Sequence, residues 1–511
     1  MSGRMEFNFT FARQQNQPTE SVDDGLPIRI LILGNFSGGD HDLSGQPRLP
    51  LPKRRMIPID LDSFDQVLDR LAPRLLLGGD GTTESADVLE FRAMDDFRPE
   101  GIVRKMKNVR QLLELRQNLL SPTMFAHAAA ELRQGLLADA SVTRQRVETA
   151  SPPHVTSTED DAATLERILG QQSPNAIAGT PGSPAPSIQN FINRLVAPYI
   201  VPKADPRQGV YLAAVDQAIG DQIRGVLHAP AFQALEATWC SLRNLISSIE
   251  DESKVKVHLL DVTYEELLAE VPTNDDGLSQ WSLFRRLTNA NNSRWSLIMG
   301  DFSFGARPED LALLSALAIT AESFQVPFIS SAQSSLVGCR SLVSCSDPSD
   351  WQPLDTEVDR CWQALRHSSA ATWVGLVLPR ILLRMPYGKD TDEVDGIAFE
   401  EFSPERRHED YLWGNSAYLC VQLIVQQFVE NGWARPLGGQ IDIGDLPAHT
   451  YIEDGEHKLQ PCAEAGFGER TAEALLNQGL MPLLSWADRN MIRFVRFQSI
   501  ADPLSPLAGT P

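Results

Sequence analysis

The chain has 511 residues, 42% of them hydrophobic and 7% aromatic, which is enough apolar side chain for packed cores and excludes wholesale disorder; this length predicts two or three domains rather than one core. Asp and Glu number 67 against 45 Lys and Arg, a formal charge of −22, and phosphate binding needs a basic stripe, so nucleic acid is excluded as the main partner. No apolar run approaches the roughly 20 residues of a spanning helix and Met1 to Arg13 has no signal-peptide core, so a cytoplasmic protein without membrane insertion is expected.

Met5, Phe7, Phe9 and Phe11 alternate with Glu6, Asn8 and Thr10, the period-two pattern of a strand with one apolar face. The polar run Gln14 to Asp24 follows, so this strand has nothing local to bury its face. It is expected either to add to a sheet elsewhere, including one on a neighbouring subunit, or to form an ordinary edge strand of its own domain. Ile28 to Leu33 is a short apolar strand ending in Gly34-Asn35-Phe36-Ser37-Gly38-Gly39. Such a turn invites a phosphate-loop reading, but the lysine and hydroxyl of a P-loop are missing, as is GxGxxG spacing into a helix. Nucleotide binding is not expected there. A helix with apolar positions Phe64, Val67, Leu68 and Leu71 comes next, then a strand near Val88 to Phe91 and a helix opened by Asp95-Asp96-Phe97-Arg98-Pro99-Glu100. The ordered runs LGNFSGG, RRMIPIDLDSFDQVL, LEFRAMDDFRPEGIV and LLELRQNL, within about residues 26–120, resemble the small subunit of the type VI secretion contractile sheath, TssB or VipA.

Residues 136–187 have linker composition, with Ser151-Pro152-Pro153 and Gly179-Thr180-Pro181-Gly182-Ser183-Pro184. Within them Leu165, Ile168 and Leu169 make an i, i+3, i+4 triplet, the pattern by which a short amphipathic helix docks into a partner groove or packs on its own chain. Helical faces resume at Ile188, Phe191, Ile192 and Leu195, and again at Leu212, Val215, Ile219, Ile223 and Val226; a third helix runs through Phe232 to Trp239. His228 has no nucleophile or carboxylate nearby in the sequence, and a hydrogen-bonded structural histidine is expected. Thr263 and Glu266 have the spacing of a capping box. Trp295 to Met299, a helix from about Pro308 to Phe324, and Val326 to Ile329 predict a βαβ crossover in a partly parallel sheet. Asp301, at a strand's carboxyl end, occupies a position favoured by functional groups, but a lone carboxylate is no site. The six cysteines (Cys240, Cys339, Cys345, Cys361, Cys420, Cys462) include no CxxC pair, which predicts reduced core thiols rather than disulfides or zinc ligands.

From Leu376 to Asn415 the chain reads as an apolar strand, a prolyl break carrying Arg380 and Arg384, a turn at Tyr387-Gly388, an acidic loop, and a helix beginning at Tyr411. Arginine offers a planar fork of donors. Arg380 and Arg384 are therefore expected to be buried and to brace a fixed polar junction with Tyr387, Trp413 and Asn415. His408-Glu409-Asp410 is expected to be a solvated acidic loop, since adjacent residues rarely converge on one metal ion. LVLPRILLRMPYG followed by YLWGNSAY closely resembles the large subunit of the same sheath, TssC or VipB. Val226 to Trp239 also resembles that subunit, with Cys240-Ser241 where the family usually has Arg-Gly.

The two resemblances together imply a fused sheath protein of α+β (mixed α/β) fold: two sheath-type domains with mixed sheets flanked by helices, and an N-terminal exchange-type strand. The expected layout is a TssB-like domain at 1–135, the linker at 136–187, a TssC-like domain at 188–500 and a tail at 501–511. The implied partners are other sheath subunits, the inner tube protein, the baseplate and the AAA+ ATPase that recycles contracted sheath. Phe7, Phe9 and Phe11 would face a neighbour's sheet, and Leu165, Ile168 and Leu169 would form the ATPase handle. No catalytic residue, cofactor or metal is expected. Typical large subunits continue with a strand-bearing region after the segment matched by Phe494 to Ser499, where this chain has Ile500 to Pro511. An accessory cap, adaptor or regulator that does not propagate the lattice is therefore the alternative, and a soluble enzyme using Asp301 and His228 is the rival from another class.

Overall fold

The computed structural model describes residues 27–39, 49–77, 87–121, 123–130, 132, 208–272, 275–289, 294–402, 406–432, 441–486 and 489–509. The strand expected at Met5 to Phe11 and the helix carrying Leu165, Ile168 and Leu169 lie outside them. The chain divides into two compact units: residues up to Lys107 together with those from Gly220, and Asn108–Ile219.

In chain order, β1 (Ile28–Gly34) is aliphatic and buried on both faces, the composition of an interior parallel strand. β2 (Ile57–Ile59) precedes α1 (Phe64–Leu71), which buries Phe64, Val67 and Leu68 on one face as their spacing predicts. β3 (Arg74–Leu77) and β4 (Asp87–Glu90) pair as an antiparallel ribbon. α2 (Pro99–Lys105) opens with proline at its first turn, where no N–H is needed, and α3 (Lys107–Leu120) follows. α4 (Gln208–Leu227) and α5 (Pro230–Ser247) lead into β5 (Val255–Asp261). The Thr263 hydroxyl accepts from Glu266 N, and Glu266 Oε2 accepts from Thr263 N, so the expected capping box starts α6 (Tyr264–Ala269). α7 (Ser282–Thr288), β6 (Leu297–Phe304), α8 (Pro308–Phe324), β7 (Phe328–Ala332), α9 (Thr356–Arg366) and β8 (Val374–Leu378) complete the alternating region. β9 (Ile381–Leu382), β10 (Trp413–Gly414), α10 (Ala417–Asn431), β11 (Ile441–Ile443), β12 (His449–Glu453), β13 (Glu456–Gln460), α11 (Glu469–Asn477), β14 (Met481–Ser485) and β15 (Ile492–Phe494) follow.

One mixed sheet organises the larger unit, in the order β11-β15-β14-β8-β7-β6-β1-β5-β2. Strands β14, β8, β7, β6, β1 and β5 run parallel, with antiparallel β2 at one margin; at the other, β15 is antiparallel to β14 and β11, antiparallel to β15, returns to the direction of the parallel strands. β6 and β7 are parallel neighbours joined through α8, as the strand–helix–strand reading predicts. β1 lies inside this sheet: Ile30 pairs with Val257 on one side and Leu297 on the other. Leu31 and Leu33 join a core with Leu313, Leu314 and Leu317 of α8, while by strand alternation Ile30 and Ile32 serve the opposite face. The two sheath-like sequence segments thus supply strands to a single sheet.

Three local expectations are corrected. The helix expected from Tyr411 starts at Ala417, because Trp413 and Gly414 pair with Leu382 and Ile381 as β10. The acidic loop is not solvated at Asp410, which is buried and held by both forks of Arg407. Arg380 is not buried, its side chain being 46% exposed. The strand expected at Thr450 to Ile452 has an antiparallel partner in β13: Asp454 and Gly455 both adopt positive φ and form the turn of a β12–β13 hairpin.

In the smaller unit, Arg116 pairs with Asp216, Gln208 Nε2 donates to Leu119 O at 2.7 Å, and the Phe125 and Tyr211 rings lie 6.2 Å apart.

Candidate functional site

The segment after β8 is shaped by what its backbone cannot do. Pro379 has no N–H, so the parallel ladder stops, and the chain turns into β9 and its short pairing with β10. A Cβ on Gly414 would sit 2.6 Å from the Leu383 side chain, so only glycine permits this approach.

Arg384 follows, and all its guanidinium donors point at protein acceptors. Nε donates to Glu236 Oε1 at 2.8 Å, Nη1 to Glu401 Oε2 at 2.8 Å and Met385 O at 3.1 Å, and Nη2 to Glu401 Oε1 at 3.0 Å and Glu236 Oε2 at 3.5 Å. Its plane lies over the Tyr387 ring, 4.2 Å from the centroid. Glu401 Oε2 also accepts the Tyr387 N–H at 2.7 Å. Both carboxylates are buried. Burial pushes Glu236 up despite Arg384. Burial opposes ionisation of Glu401 too, but the Arg384 charge, the His228 ring and the Tyr387 N–H outweigh it and hold Glu401 at about 2. One guanidinium serves two carboxylates, and Glu401 has the Tyr387 N–H as an extra backbone donor. His228 joins this network, with Nε2 3.7 Å from Glu401 Oε1 and Nδ1 3.5 Å from Asp410 Oδ1.

Arg380 makes a second clamp, donating from Nε and Nη2 to Glu464 at 2.9 and 2.7 Å. Trp413 donates from Nε1 to His408 O at 2.8 Å, and its ring stacks on that of His408. Burial would raise Glu464, but Arg380 and the His408 ring more than offset it and hold the carboxyl at about 2. A carboxylate depressed from its ordinary value near 4.5 stabilises the fold above that value, and the contribution disappears as pH falls through the folded value. Glu464→Gln is therefore expected to reduce stability at pH 7 by up to about 3 kcal/mol, with the difference from wild type shrinking between pH 4.5 and 2. Denaturant titrations of both proteins across that range check it; a difference independent of pH would show that Glu464 is not depressed.

Asn415 forms a third node. Its Nδ2 donates to Asp301 Oδ1 at 3.1 Å and Phe302 O at 3.0 Å, and its Oδ1 accepts the Ala417 N–H that opens α10. Asp301 also accepts from Thr238 Oγ1 at 2.7 Å, and burial raises its carboxyl. Asp301 and His228 thus belong to different networks, Asp301 with Thr238 and Asn415 and His228 beside Glu401 and Asp410.

The same region ties the two sheath-like segments together. Arg98 reaches Asp392 with both forks, at 3.1 and 2.9 Å, and lies over the face of Tyr387. Glu100 Oε1 accepts the Asp395 N–H at 3.1 Å. Trp239 of α5 donates to Phe36 O at 3.0 Å and meets the Phe36 and Phe64 rings edge-on. Phe232 packs against stacked Phe91 and Phe97. Sequence reasoning identified these motifs individually, but nothing in their spacing says that DDFRPE touches the acidic loop after MPYG. In the turn after β1, the Asp261 carboxylate accepts the Phe36 and Ser37 N–H groups at 2.9 and 3.1 Å and the Ser37 hydroxyl at 2.8 Å. The donors a phosphate would need are already engaged.

Among the described residues no cluster of His, Cys, Asp and Glu could hold a metal ion, and no helix is long and apolar enough to cross a membrane. Residues 210–501 match the VipB family, described as EvpB/VC_A0108, tail sheath N-terminal domain, and residues 4–144 match the type VI secretion system VipA family. The chain belongs to the VipB tail sheath family and carries a VipA-family segment ahead of that region. It is 30% identical over 303 residues to the type VI secretion system sheath protein TssC1 of Pseudomonas aeruginosa, covering 57% of this chain and 61% of that protein. It is 37% identical over 87 residues to the sheath protein TssB1 of the same organism, covering 15% of this chain and 49% of that protein. The matched region therefore spans about three fifths of TssC1 and half of TssB1.

Proposed function

We propose that this protein is a structural, non-enzymatic component of a type VI secretion contractile sheath, a fused small and large subunit that assembles by strand and surface association around an inner tube in the bacterial cytoplasm. The observation carrying this reading is β1, which lies in the VipA-matching segment yet pairs on both sides with strands of the VipB-matching segment. Fusion would then link covalently two partners that must in any case fold together. Within the proposal, Phe7, Phe9 and Phe11 add to a neighbour's sheet, Leu165, Ile168 and Leu169 contact the recycling AAA+ ATPase, and the tube protein and baseplate are the other partners. Arg380, Arg384, Tyr387, Trp413 and Asn415 keep the junction rigid while neighbours move.

Negative-stain electron microscopy of the purified chain, alone and mixed with separately encoded sheath subunits and tube protein, tests this. Tubules, or incorporation into sheaths, are expected. Monodisperse particles that neither assemble nor join other subunits would contradict it.

A further inference from the structure

We infer that the cleft between β2 and α1 is a docking site for a carboxylate-bearing segment of a second copy of this chain. The inference rests on the assembly reading and deepens it. The cleft has a volume of about 710 Å³, the size of a built binding site. In a chain of net charge −22, it gathers Lys53, Arg54, Arg55, Arg70 and Arg74 around one opening. Two of these are neutralised from within: Arg54 by both oxygens of Glu266, and Arg74 by Glu90 at 2.8 Å. Lys53, Arg55 and Arg70 are exposed, and among the described residues no carboxylate pairs with them.

The chemistry of the back wall selects the occupant. Asp261 lines the cleft with its carboxylate already holding the Phe36 and Ser37 amides. It repels a compact phosphate dianion and offers it no backbone donors. Anionic groups are favoured instead at the rim, spaced apart, over an apolar floor that includes Met56, Ile57 and Leu71. A peptide segment carrying both acidic and apolar side chains has that distribution. Ladder addition is blunted here, because the edge strand β2 is three residues long and contains Pro58. Recognition therefore runs through side chains. Charge complementarity names the source: each copy carries 67 acidic against 45 basic residues, so a neighbouring copy supplies the carboxylates in excess.

The test combines Lys53→Glu, Arg55→Glu and Arg70→Glu in the full chain, all exposed positions, with a circular-dichroism melt as the folding control. Sedimentation velocity reads self-association, and fluorescence anisotropy reads binding of a labelled peptide of alternating Glu and Leu. Wild type is expected to associate and to bind the peptide, both weakening on the order of tenfold in about 1 M salt, where the Debye length falls to about 3 Å. The triple variant is expected to lose both by a similar factor. Peptide binding lost in the variant while wild type stays monomeric would overturn the second copy as occupant, and the assembly reading would then stand or fall on mixing with other sheath subunits. Self-association and peptide binding unchanged in the variant would overturn the inference while leaving assembly intact. Tighter binding of inorganic phosphate than of the peptide would overturn the choice of occupant.

Discussion

Replacing Arg384 with methionine is expected to lower the free energy of unfolding by about 3–5 kcal/mol, the usual result of leaving a buried charge without its partner. The change removes a guanidinium that sits between Glu236 and Glu401, both almost fully buried. Glu401 is held ionised chiefly by that charge against its own burial; without it, the carboxyl must either take up a proton or remain as an isolated buried anion. Arg384→Lys should recover only part of the loss, since an ammonium cannot reproduce two bidentate contacts and the stacking on Tyr387. Adding Glu236→Gln and Glu401→Gln to Arg384→Met should restore much of it, because the uncompensated charge goes. Urea midpoints of the four proteins measure the effect. A single Arg384→Met variant as stable as wild type would show that the cluster is not a brace.

Ile32→Ala in β1 should cost about 2–5 kcal/mol, the range for emptying a packed aliphatic site. Ile32 has no exposed surface and lies between Leu259 of β5 and Met299 of β6. The damage is therefore centred in the sheet rather than at an edge. Leu76→Ala is the control: Leu76 is 71% exposed on the β3–β4 ribbon, and a change within about 0.5 kcal/mol is expected there. Equal effects at the two positions would place β1 outside the cooperative core.

Much of the local structure was legible in the residues. The i, i+3, i+4 spacing of Phe64, Val67 and Leu68 marked a buried helical face, the Thr263–Glu266 pair marked a helix start, and Pro308 to Phe324 was read with its bounds. These signals are local, set within a few residues. What escaped was set at long range. Arg384 meets Glu236 across 148 positions and Arg98 meets Asp392 across 294; a sequence shows such side chains as charged and does not name their partners. The apolar run of β1 marked a strand, but not its place inside the sheet, whose flanking strands lie more than two hundred residues away in the other sheath-like segment. Propensity misled at Trp413 and Gly414, where a two-residue pairing with β9 and the close approach to Leu383 override helix continuation. The Asp454-Gly455 pair, by contrast, is a local hairpin signal of the kind a sequence carries.

Cleavage of the chain between Pro153 and Pro186 tests most directly whether the two sheath-like segments share one sheet. A specific protease site placed there would separate the VipA-matching residues from the VipB-matching ones. Because β1 is hydrogen-bonded to both β5 and β6, the two pieces are expected to co-elute on size exclusion in native buffer, with unchanged tryptophan fluorescence, and to part only in denaturant. Separation in native buffer into two folded fragments would contradict the shared sheet and return the protein to two independent domains on a tether.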